Sequence, residues 1–200
     1  MKKGCFIWII IIVVIGLIVL GIVSWGVKTY NNMVGFQEGV ASQWGNVETQ
    51  YQRRADLIPN FVNTVKGAAG FEQETLTRVI EARAKATQVT IDPANMSAES
   101  LQQFQTAQGE VSSALSRLMV VVEKYPDIKA TQNFRDLQVE LEGTENRIAV
   151  ERRKFNNVAR EFNTYIRRFP ANIIAGMFNF SAKPYFESME AADKAPEVKF

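Results

Sequence analysis

The chain has 200 residues, with 23 Lys and Arg against 21 Asp and Glu, and its formal net charge is +2 at pH 7. This balance excludes a protein that binds nucleic acid by bulk charge. The chain has no histidine and one cysteine, so it lacks the commonest metal ligand and general base and cannot form an intramolecular disulfide. We therefore expect no cofactor, no metal, no nucleic-acid partner and no enzymatic activity.

Residues 6–27 read FIWIIIIVVIGLIVLGIVSWGV and contain no ionisable side chain. As a helix rising about 1.5 Å per residue, this run is long enough to cross the roughly 30 Å hydrocarbon core of a bilayer. A cleaved signal peptide has a shorter apolar stretch that ends in small residues, whereas this run ends in Ser24-Trp25-Gly26. We predict a short tail of residues 1–5 and then an uncleaved transmembrane helix, which makes the lipid bilayer a partner.

The charges that flank this segment predict its orientation. Lys2 and Lys3 precede the segment, and Lys28 and Glu38 are the only charged residues that follow it as far as Gly45. The excess of positive charge on the N-terminal side predicts a cytoplasmic N-terminus. The rest of the chain is then expected outside the cytoplasm.

Behind the span, apolar residues recur with the period of amphipathic helices. A first long helix is expected from about residue 30 to 66, and Pro59 should kink or divide it. A shorter helix is predicted over about residues 72–89, a third over 98–125 and a fourth over 134–169.

The third and fourth of these helices have seams of coiled-coil type, because their inward positions alternate in steps of three and four residues. Gln108 is the one polar member of the third helix's seam, and Thr144 and Glu151 interrupt the seam of the last helix. The basic run Arg152-Arg153-Lys154 is interleaved with acidic residues, which is typical of a solvated helix face.

These helices predict an all-α fold, in which an N-terminal transmembrane helix is followed by an antiparallel bundle of about four long helices. We assign residues 28–180 to this bundle as one domain. Residues 181–200 are rich in charge and contain two prolines, so we expect them to form a mobile C-terminal tail.

The apolar segment at 171–180 is too short to span a membrane and follows the last long helix directly. Two interpretations remain open: it lies in the membrane interface, or it folds back and caps the core of the bundle. The candidate membrane-surface contacts are Arg167, Arg168, Ile173, Ile174, Met177 and Phe178.

Two polar clusters, QRRAD (52–56) and EGTENR (142–147), are expected at one height on the first and last long helices. Arg54 lies on the apolar seam, and we predict that it reaches a carboxylate of the second cluster, either Glu145 or Glu142. Such a layer either fixes the register of the helices or forms a site for a ligand or partner. Its candidate members are Arg53, Arg54, Asp56, Glu142 and Glu145.

Four segments of the chain resemble the LemA family of bacterial membrane proteins. They are RRADLIPNFVNTVKG (53–67), VIEARAKA (79–86), the block from YPDIKATQNF to NTYIRRFP (125–170) and NIIAGMFNF (172–180). The resemblance extends from the span to about Phe186. It implies a single N-terminal transmembrane helix in the bacterial cytoplasmic (inner) membrane, with a helical bundle on either the cytoplasmic or the extracytoplasmic side, and it carries over no catalytic residue.

The chain departs from this family in one segment, GFEQE (70–74), where members often place a His-Glu pair. This departure speaks against a metal or pH role for the loop.

Two functions are compatible with the sequence. The first is a non-enzymatic, self-associating scaffold or interaction protein of the cell envelope, with its own copies and other membrane proteins as partners. The run LMVVV (118–122) is expected to leave an exposed apolar strip for a neighbouring copy. The second is a membrane sensor or receptor bundle that binds a small ligand or a partner at its polar layer.

Overall fold

The computed structural model describes residues 2–67 and 72–187, with side chains from residue 8 onward. Within these ranges every regular element is an α-helix, which confirms the predicted all-α class. The helices are α1 (Lys2–Lys66), α2 (Gln73–Gln88), α3 (Ala98–Val122), α4 (Pro126–Lys129), α5 (Gln132–Arg167) and α6 (Ala171–Met177). The predicted bounds of the long helices hold to within about three residues, and the short α4 was not predicted.

The helix α1 is continuous over 65 residues, from the apolar segment into the bundle. Pro59 does not divide it, although proline removes the N–H that would bond the carbonyl four residues earlier. That carbonyl belongs to Ala55, and Arg83 of α2 donates its Nε–H to it at 2.6 Å. A side chain from a neighbouring helix thus replaces the hydrogen bond that Pro59 cannot make.

Antiparallel packing of α5 along α1 forms the body of the bundle. Near the apolar segment of α1 Asn32 donates to the Tyr165 hydroxyl at 3.1 Å, and at the far end the rings of Phe61 and Phe134 lie 5.1 Å apart. The hairpin of α2 and α3 covers this pair on one side, with Phe104 of α3 in contact with α1.

Two hydrophobic clusters fill the interior. The membrane-proximal cluster contains Trp44, Phe104 and Phe155, and the distal cluster contains Phe61 and Leu118. Most side chains of the predicted seams are buried in these clusters and are thus used within one chain. Phe169, the last predicted seam position of the fourth helix, is instead 82% exposed. The expected exposed strip at 118–122 is wrong: Leu118, Val121 and Val122 are buried, Met119 is partly buried, and Val120 alone of these five is exposed.

The prediction of a mobile tail from residue 181 is wrong for residues 181–187, which we call the strap. Lys183 and Phe186 are buried, and the Phe186 ring stacks on Trp44 with centroids 5.9 Å apart. The remaining predicted tail, 188–200, lies outside the described residues.

Two asparagines on one face of α5 hold the strap through its backbone. Asn163 accepts a hydrogen bond from the Lys183 N–H at 2.7 Å and donates to the Lys183 carbonyl at 2.8 Å. Asn156 makes the same pair of bonds with Phe186, at 2.8 and 2.9 Å. Arg152 donates to the carbonyl of Glu187 at 2.8 Å, so this arginine is not part of a freely solvated face.

The buried Lys183 ammonium closes the strap onto the turn between α2 and α3. It donates to the carbonyl oxygens of Pro93 and Ala94, at 3.1 and 2.7 Å. Burial lowers the pKa of Lys183, and the nearby Asp92 carboxylate partly offsets this effect.

We predict that Arg83→Met lowers the free energy of unfolding by about 1–2 kcal/mol, because it leaves the Ala55 carbonyl without a donor. In a Pro59→Ala background, where an N–H at position 59 can bond Ala55 itself, the same change should cost clearly less. Denaturant unfolding of the single and double variants measures the coupling.

Arg78→Met is the matched control, since Arg78 lies on the exposed face of α2 and pairs only within its own helix. An equal cost of Arg83→Met in both backgrounds would contradict the compensation.

Candidate functional sites: the polar layer and the membrane-proximal foot

The polar layer is centred on Arg54, whose side chain is 2% exposed. One terminal nitrogen, Nη1, donates to Glu145 Oε1 and to Ser112 Oγ, both at 2.8 Å. The other, Nη2, donates to the carbonyl oxygen of Gln108 at 3.1 Å. The Tyr51 ring lies beneath the guanidinium, with 5.1 Å between Cζ and the ring centroid. The layer therefore joins α1, α3 and α5 through one cation.

The charges of this layer are buried unequally. The Glu145 side chain is 40% exposed, against 2% for Arg54, so the carboxylate keeps part of its hydration while the guanidinium depends on protein acceptors. Burial also raises the pKa of the Tyr51 hydroxyl, against the opposing effect of Arg152 and Arg54. The arrangement suits a fixed structural contact, because the terminal nitrogens of the buried cation already have acceptors.

The structure brings two of the five predicted members of the layer together, Arg54 and Glu145. Arg53 instead forms an exposed ion pair with Glu140 at 2.7 Å. Asp56 and Glu142 accept hydrogen bonds from glutamines one turn earlier on their own helices, each at 2.9 Å. The alternative pairing of Arg54 with Glu142 is therefore wrong.

Sequence reasoning missed the contribution of α3 to this layer. Gln108 is the one polar residue on the apolar seam of the third helix, and this exception could have indicated that α3 contributes to the layer. Ser112 lies one turn further along α3 and carried no signal of its own.

A cavity of about 110 Å³ lies beside the polar layer, between α1, α2 and α3. Arg83 lines it and uses its Nε–H on the Ala55 carbonyl. The other polar lining residues include Glu48, Gln52, Thr87 and Thr90, and the apolar ones include Ile58, Phe104 and Val111. No group of three or more potential metal-ligating residues occurs among residues 2–67 and 72–187.

The second candidate site is the membrane-proximal foot, which we define as Arg167 to Phe180. Within it, α6 packs its small residues Ala171 and Ala175 into the core. The Ile174 side chain lies 3.8 Å from the position that a Cβ on Gly26 would occupy. The Tyr30 ring contacts Phe178, with 4.8 Å between centroids. The foot therefore touches α1 where the apolar segment ends.

The outward face of the foot is apolar. Ile173, Met177 and Phe178 are each more than half exposed, and Phe169 is 82% exposed. Ile174 was predicted as a surface contact, but it packs against the core, whereas Phe169 was not predicted. The structure confirms the capping interpretation of the segment at 171–180 for the face that packs on the core, and the membrane-interface interpretation of the open face stays a prediction.

The cations of the foot form no ion pair with any other residue that the structure describes. Arg167 and Arg168, at the end of α5, are exposed, and within the described part of the chain neither has a carboxylate within salt-bridge distance. Two positive charges thus adjoin the exposed apolar face.

An all-helical bundle built on one long apolar helix defines the class of the protein: it is a membrane-associated helical-bundle protein. Among the described residues α1 is the one helix long and apolar enough to cross a membrane, with a window of mean hydropathy 2.9 of which none is buried. The LemA family model matches residues 43–200, and the chain belongs to the LemA family.

Curated relatives extend this assignment. The chain is 27% identical over 181 residues to the magnetosome proteins MamQ 1 and MamQ 2 of Paramagnetospirillum magneticum, a match that covers 82% of this chain and 66% of each relative. It is 23% identical over 160 residues to the protein LemA of Metamycoplasma hominis, covering 80% of this chain and 69% of that one. The match thus spans slightly less than two thirds of the length of the two MamQ proteins.

We predict that Glu145→Ala lowers the free energy of unfolding more than Arg54→Met does. Removing Glu145 leaves a buried cation without its counter-ion, which typically costs about 3–5 kcal/mol. Removing the guanidinium leaves a carboxylate that water can hydrate, and the loss is then about 1–2 kcal/mol. Thermal or denaturant unfolding of both variants and of the double variant measures the coupling.

Glu142→Ala is the control and should change stability by less than about 0.5 kcal/mol, because its partner is on its own helix. Additive losses of Arg54→Met and Glu145→Ala would show that the two side chains do not stabilise each other.

Proposed function

We propose that the protein is a non-enzymatic scaffold, anchored by a single pass in the bacterial cytoplasmic membrane, whose bundle stands outside the cytoplasm as a rigid extension of the spanning helix. The observation that carries this proposal is the continuity of α1 from the apolar segment to Lys66. A flexible linker would let the bundle change its orientation relative to the anchor, whereas a continuous helix holds that orientation.

Packing around α1 supports a rigid connection. α5 runs along α1 from Tyr165 near the membrane to Phe134 at the far end. α6 contacts α1 at the end of the apolar segment, at Gly26. A bundle held in this way keeps a fixed orientation relative to its anchor, which is what a scaffold requires.

Two observations support a non-enzymatic role. The terminal nitrogens of the buried Arg54 and the amide of the buried Asn163 are bonded to other parts of the bundle, so they serve its structure. The names of the relatives describe a family or a magnetosome protein and specify no reaction.

Self-association of the scaffold stays a prediction, and the bundle no longer offers the apolar strip on which it was based, since most of residues 118–122 are buried. If copies associate, we expect contact between their spanning segments, whose side chains from Trp8 to Val27 are largely exposed. Light scattering of the protein in lipid nanodiscs measures the number of copies, and a monomer would exclude this part of the proposal.

A sensor or receptor is the second candidate function, and the cavity beside Arg83 supports it. Its volume of about 110 Å³ suits a small molecule, and a basic lining residue favours a carboxylate. A rise in melting temperature with a small carboxylate, absent in Arg83→Met, would support this function. No such rise across a panel of small carboxylates would exclude it.

We predict that protease added to intact spheroplasts digests the bundle and leaves the N-terminal segment protected. The expectation follows from the positive charges that precede the span. Lysed spheroplasts give the control for protease activity, and a detector tag at the N-terminus should stay protected in intact cells. Protection of the bundle in intact spheroplasts would reverse the orientation.

A further inference from the structure

The contact between α6 and α1 fixes the depth of the foot relative to the apolar segment. Starting from residue 6, about 20 residues of helix cross the roughly 30 Å hydrocarbon core, so its far edge falls near Gly26. Ile174 meets α1 at Gly26, and Phe178 meets it at Tyr30. The foot is therefore level with the boundary between hydrocarbon and headgroups.

The exposed apolar face of the foot differs from the rest of the bundle surface. Elsewhere in the described bundle, exposed large apolar side chains such as Ile80, Val120 and Val139 are separated by polar residues. In the foot, four of them occur within ten residues: Phe169, Ile173, Met177 and Phe178. A concentrated apolar face of this kind marks an interaction surface.

The surroundings of this face favour lipid as the occupant. The Gly26–Ile174 and Tyr30–Phe178 contacts place the face beside the end of the spanning segment. Arg167 and Arg168, which have no ion pair among the described residues, lie at its edge, and Lys28 follows the span on α1. Apolar side chains beside free cations match a bilayer interface that contains anionic headgroups.

We infer that the foot is a second membrane contact of this protein: its apolar side chains enter the edge of the hydrocarbon, and Arg167 and Arg168 bind anionic lipid phosphates. The inference rests on the proposed membrane anchor. It adds a lateral contact beside the span, and a lateral contact restricts rotation of the bundle about the axis of α1, which a single spanning helix leaves free.

Site-directed spin labelling of the full-length protein in nanodiscs tests the inference. Single cysteines are introduced by Met177→Cys, Val139→Cys and Leu17→Cys, each in a Cys5→Ser background. Met177 and Val139 are matched in exposure, at 69% and 68%, but Val139 lies in the half of α5 far from the foot. The measurement is collision of each label with oxygen, which concentrates in lipid, and with a water-soluble nickel chelate.

The label at position 177 should resemble that at Leu17, with high oxygen and low nickel accessibility, whereas the label at Val139 should show the reverse. An aqueous label at position 177 together with a lipid-exposed label at position 17 would overturn the inference and leave the anchor intact. Aqueous labels at both positions would overturn the anchor as well.

A second measurement tests the role of the arginines. Native mass spectrometry compares the phosphatidylglycerol retained by the protein with the phosphatidylcholine retained from mixed nanodiscs. A basic residue near an anionic surface raises the preference for an anionic over a neutral lipid by about five-fold. Arg167→Gln and Arg168→Gln should therefore each reduce the enrichment of phosphatidylglycerol over phosphatidylcholine by about that factor. Arg117→Gln and Arg153→Gln, exposed arginines far from the foot, are the controls, and equal enrichment in all four variants would refute headgroup binding.

Discussion

The rest of the structure depends on α1, a single helix that includes both the apolar segment and the first helix of the bundle. From Phe6 to Val27 α1 carries no ionisable side chain, as a bilayer core favours, and beyond Val27 it buries one face against the other helices of the bundle. Because no linker separates the two parts, the register of the bundle is set relative to the span. The packing of α5 and α6 therefore has a fixed position along α1 relative to the apolar segment.

At two positions the stability of α1 depends on contacts from neighbouring helices. Arg54 is a buried cation and needs Glu145 and α3, and Pro59 leaves a carbonyl that needs Arg83 of α2. Pro59 would destabilise α1 even as an isolated helix, whereas Arg54 carries a cost only where it is buried in the bundle. Together they tie the distal half of α1 to specific positions on three other helices, so the buried polar groups select one arrangement of the bundle, at a cost in desolvation.

The sequence predicts those features that follow from periodicity or from equal height on antiparallel helices. The long helices, the buried seams and the pairing of Arg54 with Glu145 are of this kind. It does not predict that α1 passes Pro59 intact, because the compensating Arg83 is 24 residues away on another helix. Nor does it predict the strap, an extended segment without helical period that is held by two asparagine side chains. The exposure of Phe169 depends on where α5 ends, and no repeat indicates that.

The strap gives the foot a direct connection to the other side of the bundle. Leaving the foot at Phe180, whose ring lies 5.6 Å from that of Tyr30, the chain is bonded through Lys183 to the turn between α2 and α3. That turn joins the two helices whose side chains line the cavity beside Arg54. A displacement of α6 relative to α1 would strain buried hydrogen bonds at Asn163 before it reached the hairpin. Hydrogen bonds of the buried Asn163 and Lys183 thus connect the foot, through the strap, to the hairpin that lines the cavity.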